Sequence, residues 1–402
     1  MYIIVFIFIS ALVLEQLGDN FLYQHTNIVD VIGNFFGSIF YIGGIVAITM
    51  AICLIYKSIK QRNFQLNKWD ICFSIVLVWG LFSVLLSSDI KLTFWGTDYR
   101  IDGYFSYLIY ASLYIICRSI KKSELKIWVL RALAIATTSL CLDCVLKDDI
   151  FSIFSHFNHY AYIITLGSTI LAGLFILETK IIIKICYALM FITHIYCLIT
   201  VDTFGCYLAV LFALIFAVFF TGSINKKYIL QSLILLFLFL GISVFVNIKT
   251  QAIANNFEVL NTDIEKIATN APDKENAGSL RIQMWTHTIK YIAKRPLFGY
   301  GPEGTTHAFL NDGLHNDRPH NEYLQYALFM GIPASIFYIA GLVFLFVFAL
   351  KKRKQLSYYS IISGLAVLAY CISAFFGNTM YYTSPYFFMI LGMVSKPVIE
   401  KK

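Results

Sequence analysis

The chain has 402 residues, of which 59% are apolar and only 13% charged, and its mean hydropathy is +0.73. So little polar surface cannot coat a water-soluble globule, which excludes a soluble fold. The formal charge of +8 does not point to nucleic acid, because the cations gather in short segments between apolar runs. These segments hold Lys57, Lys60, Arg62 and Lys68; Arg118, Lys121, Lys122 and Lys126; Lys180 and Lys184; Lys226 and Lys227; Lys351 to Lys354; and Lys396, Lys401 and Lys402. They alternate with loops poor in Lys and Arg, as the positive-inside bias requires of an integral cell-membrane protein. Threading them through the chain places both termini in the cytoplasm.

Apolar runs of about 20 residues cross a bilayer. They predict an all-α, polytopic transmembrane bundle of about twelve spans, near 1–17, 33–56, 70–88, 104–117, 127–146, 159–178, 185–201, 205–222, 229–248, 326–350, 357–377 and 386–396. The spans at 104 and 386 are short. The first run, Tyr2 to Leu14, lacks a basic leader and a small-residue cleavage site and reads as a retained span. Most of the nine cysteines lie inside apolar runs, where a thiol acts as a small hydrophobe, so no disulfide framework is predicted. Cys141 and Cys144 form a C-x-x-C within a span without a second ligand pair, and no metal site is expected. Arg131 lies a turn from the cytoplasmic edge of its span and is expected to snorkel.

The remaining loops face outward, at 18–32, 89–103, 147–158, near Asp202, at 249–325 and at 378–385. Only 249–325 is large, so the chain reads as one membrane domain, 1–402, with one elaborated helical extracytoplasmic loop. Residues 251–277 read as a short helix and a turn. The run SLRIQMWTHTIKYIAK from Ser279 to Lys294 reads as a helix capped by Ser279. At helical spacing Ile282, Trp285, Ile289 and Ile292 share a stripe about 80° wide. Arg281 sits at its edge facing the protein, with Lys290, Lys294 and His287 opposite. A glycine turn, LFGYGPEG, follows Arg295 and Pro296, with Gly299, Gly301 and Gly304 forcing it tight. The next helix is expected to begin at Arg318-Pro319-His320-Asn321-Glu322, Pro319 suiting a first turn. His320 and Gly331 would then share a face, about 20° apart after three turns, and the glycine would admit a close helix neighbour.

An imidazole at the outer mouth of a span, preceded by Arg318 and followed by Asn321 and Glu322, has the parts of a general base with an orienting neighbour; the plainer alternative is a local capping role. Arg281 carries a forked donor suited to an anion such as pyrophosphate, or snorkels at the interface. Asp98-Tyr99-Arg100-Ile101-Asp102-Gly103 opens a span and either positions a ligand or anchors a helix end. His156 and His159 lack a third ligand and are expected to hydrogen-bond.

Arg281 and Trp285 on a helix, the turn with Pro296, Leu297, Gly299 and Gly301, and His320-Asn321 eleven residues before Gly331 together resemble the signature of the O-antigen ligase and polymerase family of membrane glycan transferases, over residues 281–331. Weaker echoes, Arg100-Ile101-Asp102-Gly103 and Asn158-x-Tyr160, extend the likeness along the chain. The resemblance implies a C-type glycosyltransferase-like fold. It implies transfer of a glycan from a polyprenyl pyrophosphate carrier to a glycan, lipid or protein hydroxyl at the outer membrane face, without nucleotide sugar, metal or other cofactor. It implies His320 as base and Arg281 as a pyrophosphate contact, with Asn321, Glu322, Arg318, Trp285, Gly299, Gly301 and Gly331 in support. Where many members carry an Arg at the outer end of a span, this chain reads Thr203-Phe204-Gly205; either Arg100 or Lys249 stands in, or the donor is held differently. The rival readings are a transporter or flippase, which calls for paired charges or broken helices at mid-membrane, and a non-catalytic partner in envelope polysaccharide assembly.

Overall fold

The computed structural model describes Val5, Phe8, Ile9 and residues 29–97, 100–147, 154, 157–314 and 317–396. All but three residues of the expected first span, together with Asp98, Tyr99 and His156, fall outside these residues. Every regular element among them is helical. In chain order they are α1 (Val29–Lys60), α2 (Lys68–Leu85), α3 (Ile90–Trp95), α4 (Tyr104–Arg118), α5 (Ser123–Lys147), α6 (Phe157–Leu177), α7 (Ile181–Thr200) and α8 (Phe204–Gly222). There follow α9 (Lys227–Thr250), α10 (Ala252–Ala268), α11 (Arg281–Lys294), α12 (Thr306–Asn311), α13 (Glu322–Met330), α14 (Ile332–Lys352), α15 (Tyr358–Ser373) and α16 (Ser384–Ser395).

Among the described residues nine helices are long and apolar enough to cross a membrane: α1 from Phe40, α2, α5, α6, α7, α8, α9, α14 and α15. The two runs already short in the sequence, α4 and α16, have 15 and 12 residues. They pack lengthwise on each other, and α16 is buried along its whole length. A helix walled by protein need not match the bilayer thickness. The centre of the bundle is α6, buried from Asn158 to Leu177 and flanked by α5, α7, α8 and α15. Its Gly167 and Gly173 leave no room for a Cβ against α5, α7 and α15, which is how small residues let membrane helices approach.

The antiparallel order gathers all polar elaboration at one end: 86–103, the start of α6, the α7–α8 turn, 251–321 and 374–383. The basic segments lie at the other. Two expectations fail here. The helix expected from 318 through 350 is two helices, interrupted at Gly331 with φ +90°, and His320 precedes the first of them. His320 and Gly331 therefore share no helix face. Ser279 does not cap α11: Ser279 and Leu280 both take left-handed φ, 55° and 68°, and the helix starts at Arg281 without a side-chain cap. The buried face of α11 is Met284, Thr288 and Ile292, while Ile289 is exposed. Thr288 tolerates burial because its hydroxyl donates back to the Met284 carbonyl. Arg131 reaches Glu178 at 3.5 Å and lies over Trp128.

Candidate active site

The interruption at Gly331 has a partner. A helix C-terminus leaves carbonyls unsatisfied, and here the glycine turn satisfies them. Tyr300 and Gly301 donate their N–H groups to Leu328 and Phe329 at 3.1 and 2.8 Å, and Ile332 donates to Pro296 at 2.8 Å. Gly299 and Gly301 have φ of 64° and 85°. A Cβ on Gly299 would lie 2.5 Å from the Leu328 oxygen, and one on Gly331 would collide with the Leu297 carbonyl. What approaches Gly331 is thus the backbone of this turn, not another helix. Trp79 and Ser83 of α2 fix the arrangement by donating to Leu297 and Phe329, both at 2.6 Å.

The turn leads into Glu303, fully buried with φ 58°. Its two oxygens accept from the N–H groups of Asp102 at 2.8 Å and Thr97 at 2.9 Å. Asp102 in turn accepts on Oδ2 from Arg318 Nη1 at 3.0 Å, Gln325 Nε2 at 3.0 Å and Thr379 Oγ1 at 2.8 Å. Arg318 is 1% exposed. It is an internal staple that ties its own segment to those of Asp102 and Glu303 and does not orient His320. Nor do the two residues that follow the histidine. Asn321 caps α13, its side chain accepting from the Leu324 N–H at 3.0 Å. Glu322 is buried and turned to the bundle, accepting from Tyr338 at 2.6 Å and Tyr370 at 2.7 Å.

His320 itself is half-buried, with φ 49°, a conformation a non-glycine residue adopts at a cost. Its Nδ1 lies 3.4 Å from the amide of Asn378, a residue in the α15–α16 loop with nothing in its sequence setting to single it out. Thr379, next in the chain, is tied to Gln325 and Asp102, so Asn378 is set by the same network that holds Arg318. Trp285 of α11 donates to the Pro319 carbonyl at 2.9 Å and meets Phe375 edge-on at 5.5 Å, pinning the histidine segment to the large loop.

Three cations bear on the imidazole, Arg281 and Arg100 more than the buried Arg318. Arg281 is half-buried, bonded through Nη1 to the Gly278 carbonyl at 3.0 Å, with its guanidinium 6.0 Å from the Phe376 ring. Arg100 makes a bidentate pair with Asp317, at 3.0 and 2.8 Å. Burial, followed by the charges of Arg281 and Arg100, pushes His320 down to about 3, so it is neutral at physiological pH. Burial alone would raise Asp317, yet Arg318 and Arg100 hold it below the usual carboxylate value. Arg100, His159, Asn378 and Tyr381 line a recess beside the network.

The structure thus brings Arg281, Arg100 and His320 into one electrostatic neighbourhood. Lys249 stays outside it, exposed and lying over Phe245. Phe204, where the resemblance leads one to expect a cation, stacks on Tyr207 and meets Phe257 edge-on at 5.1 Å. Among the described residues no cluster of three His, Cys, Asp or Glu could hold a metal ion. The family model described as O-antigen ligase matches residues 188–339, a stretch containing Arg281, Trp285, the glycine turn, His320 and Gly331. The match supports an O-antigen ligase-like family. No curated protein matches the chain.

Proposed function

We propose that this O-antigen ligase-like membrane protein transfers a glycan from a polyprenyl pyrophosphate carrier to an acceptor hydroxyl, with His320 as general base. The observation that carries the reading is an imidazole at the polar end of the bundle, 3.4 Å from Asn378 and on a segment that Trp285 pins to the loop carrying Arg281; burial and the charges of Arg281 and Arg100 keep it neutral. The acceptor oxygen forms a bond to the sugar C1 and gives its proton to His320 as the bond from C1 to the pyrophosphate oxygen breaks. The leaving pyrophosphate needs charge stabilisation, not protonation, which guanidinium groups supply. Arg281 is the direct contact. Arg100, its fork occupied by Asp317, contributes chiefly charge.

An imidazole with a pKa near 3 is a weak base, and the donor strengthens it. Burial is the larger cause of the low value and stays, but two phosphate groups beside Arg281 and Arg100 offset the positive field and raise His320 by the part that those charges contribute. The base is therefore stronger when the donor is in place, which disfavours proton abstraction in its absence. The test is surface polysaccharide in cells expressing His320→Ala at normal level and insertion. Loss of chain extension or attachment is expected; unchanged polysaccharide would reject the reading.

A further inference from the structure

Helix α10 (Ala252–Ala268) has no buried residue, yet its sequence is strongly two-faced. At 100° per residue Ile253, Phe257, Leu260, Ile264 and Ile267 fall within about 80° of one another. Phe257, Leu260, Ile264 and Ile267 are 46, 39, 55 and 50% exposed. The helix is not loose. Asn247, in the last turn of the span α9, accepts from the N–H groups of Ile253 and Ala254 at 2.9 and 3.1 Å, and the chain turns through Gln251 at φ 56°. Asn256 bonds Asp202 and Phe257 meets Phe204, at the ends of α7 and α8. Further along, Asp263 accepts from the Gly278 N–H and Lys266 pairs with Asp273, both at 2.8 Å.

These ties settle the three sides of α10. The edge carrying Asn256, Asp263 and Lys266 faces the protein. Asn255, Glu258, Thr262 and Glu265 face away from the stripe. Past Ile253, which packs on the core, and Phe257, one side of which meets Phe204, the apolar stripe is left bare, and on α9, the span that α10 follows, Val244, Phe245 and Ile248 are exposed. That face belongs to a span and meets lipid, and α10 is tied at the level where α7, α8 and α9 end.

We propose that α10 lies in the bilayer interface of the leaflet on this side, its Phe257–Leu260–Ile264–Ile267 stripe inserted among the lipids. Because the polar face carries Glu258 and Glu265, insertion rests on apolar burial and not on attraction to anionic headgroups. It does not depend on the catalytic reading.

The test uses the full-length protein in phosphatidylcholine vesicles, with and without phosphatidylglycerol. Leu260→Cys and Ile264→Cys on the stripe, and Glu258→Cys and Thr262→Cys on the polar face, each carry a bimane label. The unsubstituted chain gives the background from the outward-facing Cys53 and Cys186. Lipid-borne nitroxide should quench the stripe labels several-fold more than the polar ones, aqueous iodide should do the reverse, and phosphatidylglycerol should change neither. Equal iodide quenching at all four sites would overturn the proposal. So would stripe labels that neither quencher reaches, with Ile264→Cys cross-linking two copies on oxidation.

Discussion

Arg318 Nη1 lies 3.0 Å from Asp102 Oδ2 across 216 residues of sequence, and both side chains are buried. Removing one partner of such a pair strands the other, here together with Glu303, at a cost of about 3–5 kcal/mol. Arg318→Ala should therefore melt far below the wild-type protein in detergent, or fail to accumulate. Arg281→Ala, half-buried and without a carboxylate partner among the described residues, should cost about 1 kcal/mol. Equal melting of the two variants would remove the structural role assigned to Arg318.

His320 bears backbone strain that its chemistry must justify. Glycine adopts φ +49° freely, whereas a Cβ at that φ costs on the order of 1 kcal/mol. His320→Gly should unfold at a higher temperature than His320→Ala while being equally inactive in glycan transfer. A lower melting temperature for the glycine variant would show that the strain has been misread.

The acid side of the pH profile follows from the same residue. Burial, followed by the charges of Arg281 and Arg100, makes protonation unfavourable, so the neutral imidazole persists below its ordinary pKa of 6.5 in the free protein. The corresponding stability contribution is present above pH 6.5 and lost as pH falls toward about 3. The acid limb of kcat/KM should fall below pH 6.5, that of kcat should lie higher because the donor raises the pKa, and Arg281→Gln should move the kcat/KM limb upward. A limb that stays put in Arg281→Gln would mean that this charge does not act on the base.

The glycine turn should be intolerant of side chains for reasons unconnected with substrate. Gly331→Ala and Gly299→Ala each impose an unfavourable φ, about 1–3 kcal/mol, and a collision with the facing backbone. Both should reduce thermal stability and displace the histidine segment. Gly313→Ala also has a positive φ, 74°, but meets no atom within 4 Å and should lose only the conformational part.

The membrane helices were legible because hydropathy is a local property of 20 residues, and the two doubtful runs, at 104 and 386, are the two short helices. The outer end was less legible because its order is set by distant partners. The break at Gly331 exists because N–H groups from a turn thirty residues earlier replace the next helical turn, and an apolar run gives no sign of that. Arg318 looked like an orienting neighbour of His320, but besides the adjacent Asp317 its carboxylate partners, Asp102 and Glu303, come from loops remote in sequence. Asn378 belongs to no motif and becomes relevant only when its loop folds against His320. On α11 the hydrophobic stripe and the buried stripe differ, since Thr288 is buried with its hydroxyl satisfied and Ile289 is left exposed.

The central claim is that His320 removes the acceptor proton during glycan transfer. Its most direct test is single-turnover transfer by the purified protein from a polyprenyl pyrophosphate-linked oligosaccharide to candidate glycan, lipid and protein acceptors, with product identity naming the acceptor class. The wild-type protein should form product, and His320→Ala, folded and still binding donor, should be slower by about 10²–10⁴-fold. Turnover by His320→Ala at the wild-type rate would contradict the account.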